Sequence, residues 1–191
     1  MQRLDLATIA PTPWKNGGGA TRALACWPPG AGLERFGWRV SVADVAAPGP
    51  FSLYPGVDRQ ILLLQGDGVH LRAADGSVDQ ALDRATPPFA FAGETAIDCT
   101  LRGGPVRDFN LMLRRGQWRG ALRVWHGACT PGESPAGLCL VLAGHWERAG
   151  EAYASGQGLW WSTPRPGAPL RPVPGGLDHP ALAWVALEPE I

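Results

Sequence analysis

Glycine and proline recur along the whole chain instead of gathering at one end, 26 and 19 of 191 residues, almost a quarter of it. In a helix interior each glycine is about 1 kcal/mol and each proline about 3 kcal/mol less favourable than alanine. No window of helical length keeps apolar residues at i, i+3, i+4 and i+7 without one of these two, so extended α structure is not expected. Punctuation this regular fits many short strands closed by turns, and hence a mainly β fold of the sandwich or barrel kind.

The apolar segments between those punctuation marks read as strands. They are residues 37–45 (GWRVSVADV), 60–64 (QILLL), 68–73 (GVHLRA), 96–102 (AIDCTLR), 106–114 (VRDFNLMLR), 121–125 (ALRVW), 137–142 (GLCLVL), 151–153, 158–161 and 183–187. Residues 105–115 close a first lobe, residues 116–120 (GQWRG) form a hinge, and the division falls into 1–115 and 116–191. The second lobe carries the loops 130–135 (TPGESP) and 163–176 (TPRPGAPLRPVPGG), the latter an extended surface segment because proline cannot donate to a central ladder. No tandem repeat is visible in the sequence.

Charge narrows the functional classes. Seventeen basic residues balance seventeen acidic ones, so no field draws the chain onto phosphate or anionic lipid, and neither nucleic acid nor membrane is an expected partner. The first residues lack a basic then apolar leader, which makes a cytoplasmic location the expectation. Cys26, Cys99, Cys129 and Cys139 are far apart and are read as reduced thiols. His70, His126, His145 and His179 are scattered, so no metal site, no cofactor and no nucleophilic triad is expected.

Four segments could line a site for a small molecule. In residues 13–22 (PWKNGGGATR) three consecutive glycines follow Lys15 and Asn16, with Thr21 and Arg22 beyond them. They either let backbone approach an anion that these donors hold or form a tight turn at a barrel rim. In residues 38–45 the two-residue period sets Trp38, Val40 and Val42 on one face and Arg39, Ser41 and Ala43 on the other. Facing inward, Arg39 and Ser41 suit a carboxylate, since guanidinium offers a two-pronged donor; facing outward, they are ordinary surface residues. Arg59, just before an apolar strand, turns inward beside Arg39 or stays exposed, and Asp108 and Asn110 share a face of the 106–114 strand.

Taken in order, PWKNGGGATR, FGWRVSVADV, GPFSLYPGVDRQILLLQGDGVHL and GGPVRDFNLMLRR resemble the HutD/Ves family over residues 11–115. The resemblance implies a bicupin, two small cupin-like (RmlC-like) β-barrels in one chain, without the cupin histidine and glutamate metal set. It also implies a role in bacterial histidine utilisation through binding of formylglutamate or a urocanate-like acid, or, in the Ves branch, a part in the stress response. On the matching positions, Lys15, Asn16, Thr21, Arg22, Arg39, Ser41, Arg59, Asp108 and Asn110 are the candidate ligand-binding residues, with no catalytic residue among them. Two other classes stay open: a metal-independent enzyme using Asp44 or Asp108 as base, and an interaction module presenting Trp118, Trp125, Trp146, Trp160 and Trp161. Sheet edges of such barrels also offer a surface for a homodimer.

Overall fold

The computed structural model describes residues 1–175 and 179–190. Its chain separates into two compact units, Ala10–Arg115 and Met1–Ile9 with Gly116–Ile191. The opening strand β1 (Gln2–Asp5) therefore joins the second unit, where it pairs antiparallel with residues 157–160, and a single 3-10 turn, Leu6–Thr8, follows it.

The Ala10–Arg115 unit holds β2 (Thr12–Pro13), β3 (Gly19–Trp27), β4 (Trp38–Val45), β5 (Gly49–Pro50), β6 (Val57–Gln65), β7 (Val69–Ala73), β8 (Asp79–Leu82), β9 (Phe89–Ala92), β10 (Ile97–Leu101) and β11 (Val106–Arg114). They form a six-stranded sheet in the order β2-β3-β4-β11-β6-β9 and a four-stranded sheet in the order β5-β10-β7-β8. The two close on one apolar core that includes Val45, Ile61, Leu63, Phe91 and Val106 from the larger sheet and Leu71, Leu82, Ile97 and Cys99 from the smaller. Burying such side chains contributes about 1.5–3 kcal/mol each.

The second unit adds β12 (Trp118–Trp125), β13 (Ala136–Ala143), β14 (Trp146–Arg148), β15 (Glu151–Tyr153), β16 (Gln157–Trp161), β17 (Arg171–Pro172) and β18 (Ala181–Pro189). Its sheets run β1-β16-β13-β18-β12 and β15-β14-β17, and Cys139, Val141, Trp146, Tyr153, Leu159 and Leu182 form the core between them. No helix among the described residues is long and apolar enough to cross a membrane.

The strands expected from alternation are present with shifted ends, and the differences have physical causes. Residues 118–120 of the expected hinge are strand: a Cβ on Gly120 would lie 2.4 Å from the Ala186 carbonyl, so the glycine marks a close strand approach and not a joint. The 163–176 segment contains the two-residue strand β17, paired through Trp146↔Pro172 and Glu147↔Arg171; its last residue, Gly176, lies outside the described residues.

The glycine triplet divides its roles. Gly17 sits in the left-handed region at φ 71°, and the Asn16 side chain accepts a hydrogen bond from the Gly18 amide at 3.0 Å, closing a turn. Gly19 opens the nine-residue strand β3, where a Cβ would meet the Asp44 carbonyl at 2.3 Å and the Trp14 ring at 2.9 Å. Gly19→Ala is accordingly expected to destabilise the protein by about 1–3 kcal/mol in urea denaturation, because a backbone carbonyl cannot yield as a flexible side chain does. An unchanged midpoint would show that β3 and β4 can move apart.

Candidate functional site

Antiparallel register assembles a polar cluster on the core-facing side of the six-stranded sheet. Strand β11 lies between β4 and β6, so Asn110 is opposite Ser41 on one side and Ile61 on the other, while Met112 is opposite Arg39 and Arg59. Because Val45, Ile61 and Leu63 belong to the core, the residues in step with them, Arg39, Ser41, Arg59, Asp108 and Asn110, share that face. A bulge where Arg107 and Asp108 meet β6 keeps both strands in phase from Asp108 onward.

Arg59 is the centre of the cluster. It is only 8% exposed, and its guanidinium stands over the rings of Phe91, Phe51 and Tyr54 at 4.9, 5.2 and 5.6 Å. Phe91 is its direct cross-strand neighbour on β9, which explains the closest of these contacts. One terminal nitrogen donates to Asn110 Oδ1 at 2.9 Å and the other reaches the Ser52 carbonyl at 3.4 Å, but Nε is buried with no partner. Burial pulls this guanidinium below its ordinary value, against the charge of Asp108 and the presence of Tyr54.

Asn110 passes the connection on, its amide nitrogen donating to Asp108 Oδ1. Burial pushes the Asp108 carboxyl up to about 7, although Arg59 and the Asn110 amide both favour its ionised form. Ser41 is 5% exposed and Arg39 half-buried, and neither side chain has a hydrogen-bond or ion-pair partner among the described residues. The face thus offers a buried cation, a second cation without a counter-charge, a hydroxyl, an amide and a carboxyl close to its titration point. Such a set can hold a small anion through charge-assisted hydrogen bonds.

The other candidates stand apart. Lys15 and Asn16 are exposed in the turn before Gly17. Thr21 shares the core-facing side, opposite Ala43, but its hydroxyl accepts from the Trp14 indole at 2.8 Å. Arg22 is opposite Val42 on the reverse face, where it and Arg107 both bind Asp44, Arg107 at 2.6 Å. Burial disfavours the Asp44 charge, but Arg107 and Arg22 together hold its carboxyl below the usual range, so Asp44 makes a poor base. Of the tryptophans read as a docking surface, Trp146 and Trp161 are buried core, Trp118 and Trp160 half-buried, and Trp125 is exposed. Among the described residues no three His, Cys, Asp or Glu side chains are grouped to hold a metal ion, and the four cysteines are free.

Sequence reasoning missed the aromatic enclosure of Arg59. Its signal was available: Phe89 and Phe91 share one face of a short strand, and Phe51 and Tyr54 both precede the turn before Arg59.

Asp108 couples this site to pH. Its carboxyl titrates near 3.8 in an unfolded chain and near 7 in the fold, so its contribution to stability is complete below about pH 4 and is lost as pH rises through about 7. Asp108→Asn removes that dependence. Urea stability measured from pH 5 to pH 8 should fall more steeply for the parent than for the variant; parallel profiles would place the Asp108 carboxyl at its ordinary value.

The HutD family model matches residues 6–171. The protein Ves of Cronobacter sakazakii is 37% identical over 162 residues, 84% of this chain and 87% of its own. The structure of HutD from Pseudomonas fluorescens superposes with a TM-score of 0.83 at 28% identity, covering 98% of both chains. A cupin 2 conserved barrel protein from Leptotrichia buccalis, 9% identical, covers 98% of this chain and 96% of its own at a TM-score of 0.59, which makes the fold cupin-like.

Proposed function

The chain belongs to the HutD family, and on that premise we propose that its Ala10–Arg115 unit binds a small dicarboxylate of the formylglutamate kind and thereby modulates histidine utilisation. The observation that carries this reading is the buried Arg59, enclosed by three rings and bonded to Asn110, with Nε unpartnered. Burying a guanidinium costs several kcal/mol, which selection tolerates where the charge has work to do. Arg39, on the same face with Met112 between it and Arg59, would meet the second carboxylate. Ser41 and Asn110 would read the amide or hydroxyl of the ligand, a division of labour usual in polar pockets.

The Asp108 carboxyl supports a second reading, turnover of a small acid, because a group titrating near 7 suits general base catalysis at neutral pH. Binding alone requires no such step.

Calorimetry of the full chain with N-formylglutamate tests the proposal. Binding is expected to weaken at least tenfold in Arg39→Ala and in Arg59→Met, and to tighten from pH 8 to pH 6 as Asp108 takes up its proton and ceases to repel the anion. Arg39 is half-buried and unpaired, so its variant should keep the fold even where Arg59→Met does not. Affinity that neither substitution lowers would overturn the proposed site, and NMR of the same mixtures would reveal any conversion of the ligand.

A further inference from the structure

The second unit carries a groove of its own, of about 430 Å³, lined by Arg119, Ala121, Arg123 and Trp125 of β12 and by Trp184 and Glu188 of β18. Register explains the lining. Arg119 is opposite Glu188, Ala121 opposite Ala186 and Arg123 opposite Trp184, so alternate residues of both strands face the same way. That way is toward the core side of the sheet, since Trp184 packs on the Cys139 and Leu182 cluster and its ring lies 5.6 Å from that of Trp161. The groove volume is ordinary for a small-molecule site.

Its charges are unequally committed. Arg119 is neutralised by Glu188, with Nε and one terminal nitrogen at 3.2 and 2.8 Å from a single carboxylate oxygen. Arg123, exposed, has no hydrogen-bond or ion-pair partner among the described residues. It stands between Trp184, its cross-strand neighbour, and Trp125, two residues on along the same face. Trp125 is 40% exposed, unusual for so large an apolar ring, and its indole nitrogen donates to the Ala128 carbonyl at 3.2 Å, which fixes one edge of the ring.

We propose that this groove is a second ligand site, which takes a planar aromatic monocarboxylate: the carboxylate on Arg123 and the ring against Trp125 and Trp184. One spare cation matches one negative charge. The Glu188 carboxylate at the Arg119 end disfavours a second, so the groove selects against the dicarboxylates that suit two unpaired arginines. Indole faces favour a flat ring through offset or edge-on packing. The site is independent of the one around Arg59, being built wholly from strands of the second unit.

Fluorine NMR of the full chain with 4-fluorocinnamate tests this directly. Saturable binding is expected, at least tenfold weaker in Arg123→Ala, several-fold weaker in Trp125→Ala, and largely retained in Arg123→Lys, which keeps the charge. The uncharged 4-fluorocinnamamide should bind as poorly to the parent as the acid does to Arg123→Ala. No saturable binding at millimolar probe, an affinity untouched by Arg123→Ala, or equal binding of acid and amide would each overturn the proposal.

Discussion

A guanidinium enclosed by three aromatic rings organises the Ala10–Arg115 unit. Taken out of water without compensation, the Arg59 charge would cost several kcal/mol. Three ring faces, one amide oxygen and one backbone carbonyl offset part of that cost. Asn110 stands between Arg59 and Asp108 and bonds both. Had Asp108 bonded Arg59 directly, the two would form a closed salt bridge with nothing left to offer a ligand. With Asn110 between them, Arg59 keeps an unpartnered Nε and Asp108 keeps a carboxyl that burial holds near neutrality. The central place of β11 makes this possible, because it sets residues of β4 and β6 on either side of Asn110 and Met112.

Much of that arrangement is legible in the sequence. Alternation along residues 38–45 and 106–114 separates Arg39, Ser41, Asp108 and Asn110 from the apolar residues between them, and the strands carry them as that period requires. What alternation cannot supply is which face looks inward. Trp38, Val40 and Val42 are all fully buried too, so burial of the apolar partners does not mark the reverse face as solvent. Arg22, a candidate donor in the glycine-rich segment, is turned by β3 to the reverse face, where Asp44 neutralises it.

Glycine misleads in a different way. The triplet at 17–19 reads as a break, and its first two residues do form a turn, but the third begins one of the longest strands in the unit. Gly120 likewise reads as part of a hinge and stands within β12. In both places the missing side chain is required by a carbonyl of the neighbouring strand, Asp44 for one and Ala186 for the other. Only pairing across the sheet distinguishes a glycine that bends the chain from one that lets two strands meet, and pairing is non-local. The assignment of β1 to the second unit is equally non-local, resting on partners more than 150 residues away.

Pairing also exposes a duplication that composition hides. Each unit has an eight-residue strand opening on Trp-Arg, β4 at Trp38-Arg39 and β12 at Trp118-Arg119, and each pairs antiparallel with the unit's last strand, nine residues long. Beyond that shared beginning the chemistry diverges. Opposite Arg39 stands Met112, which leaves the guanidinium uncompensated; opposite Arg119 stands Glu188, which cancels it. Two positions further, Ser41 is opposite Asn110, whereas Ala121 is opposite Ala186. These two strand pairs therefore carry a polar cluster in the Ala10–Arg115 unit and not, among the described residues, in the other, where Arg123 stands opposite a tryptophan. Strand pairs of matching length with different cross-strand partners thus carry different chemistry, because charge is decided by what each arginine faces and not by its presence.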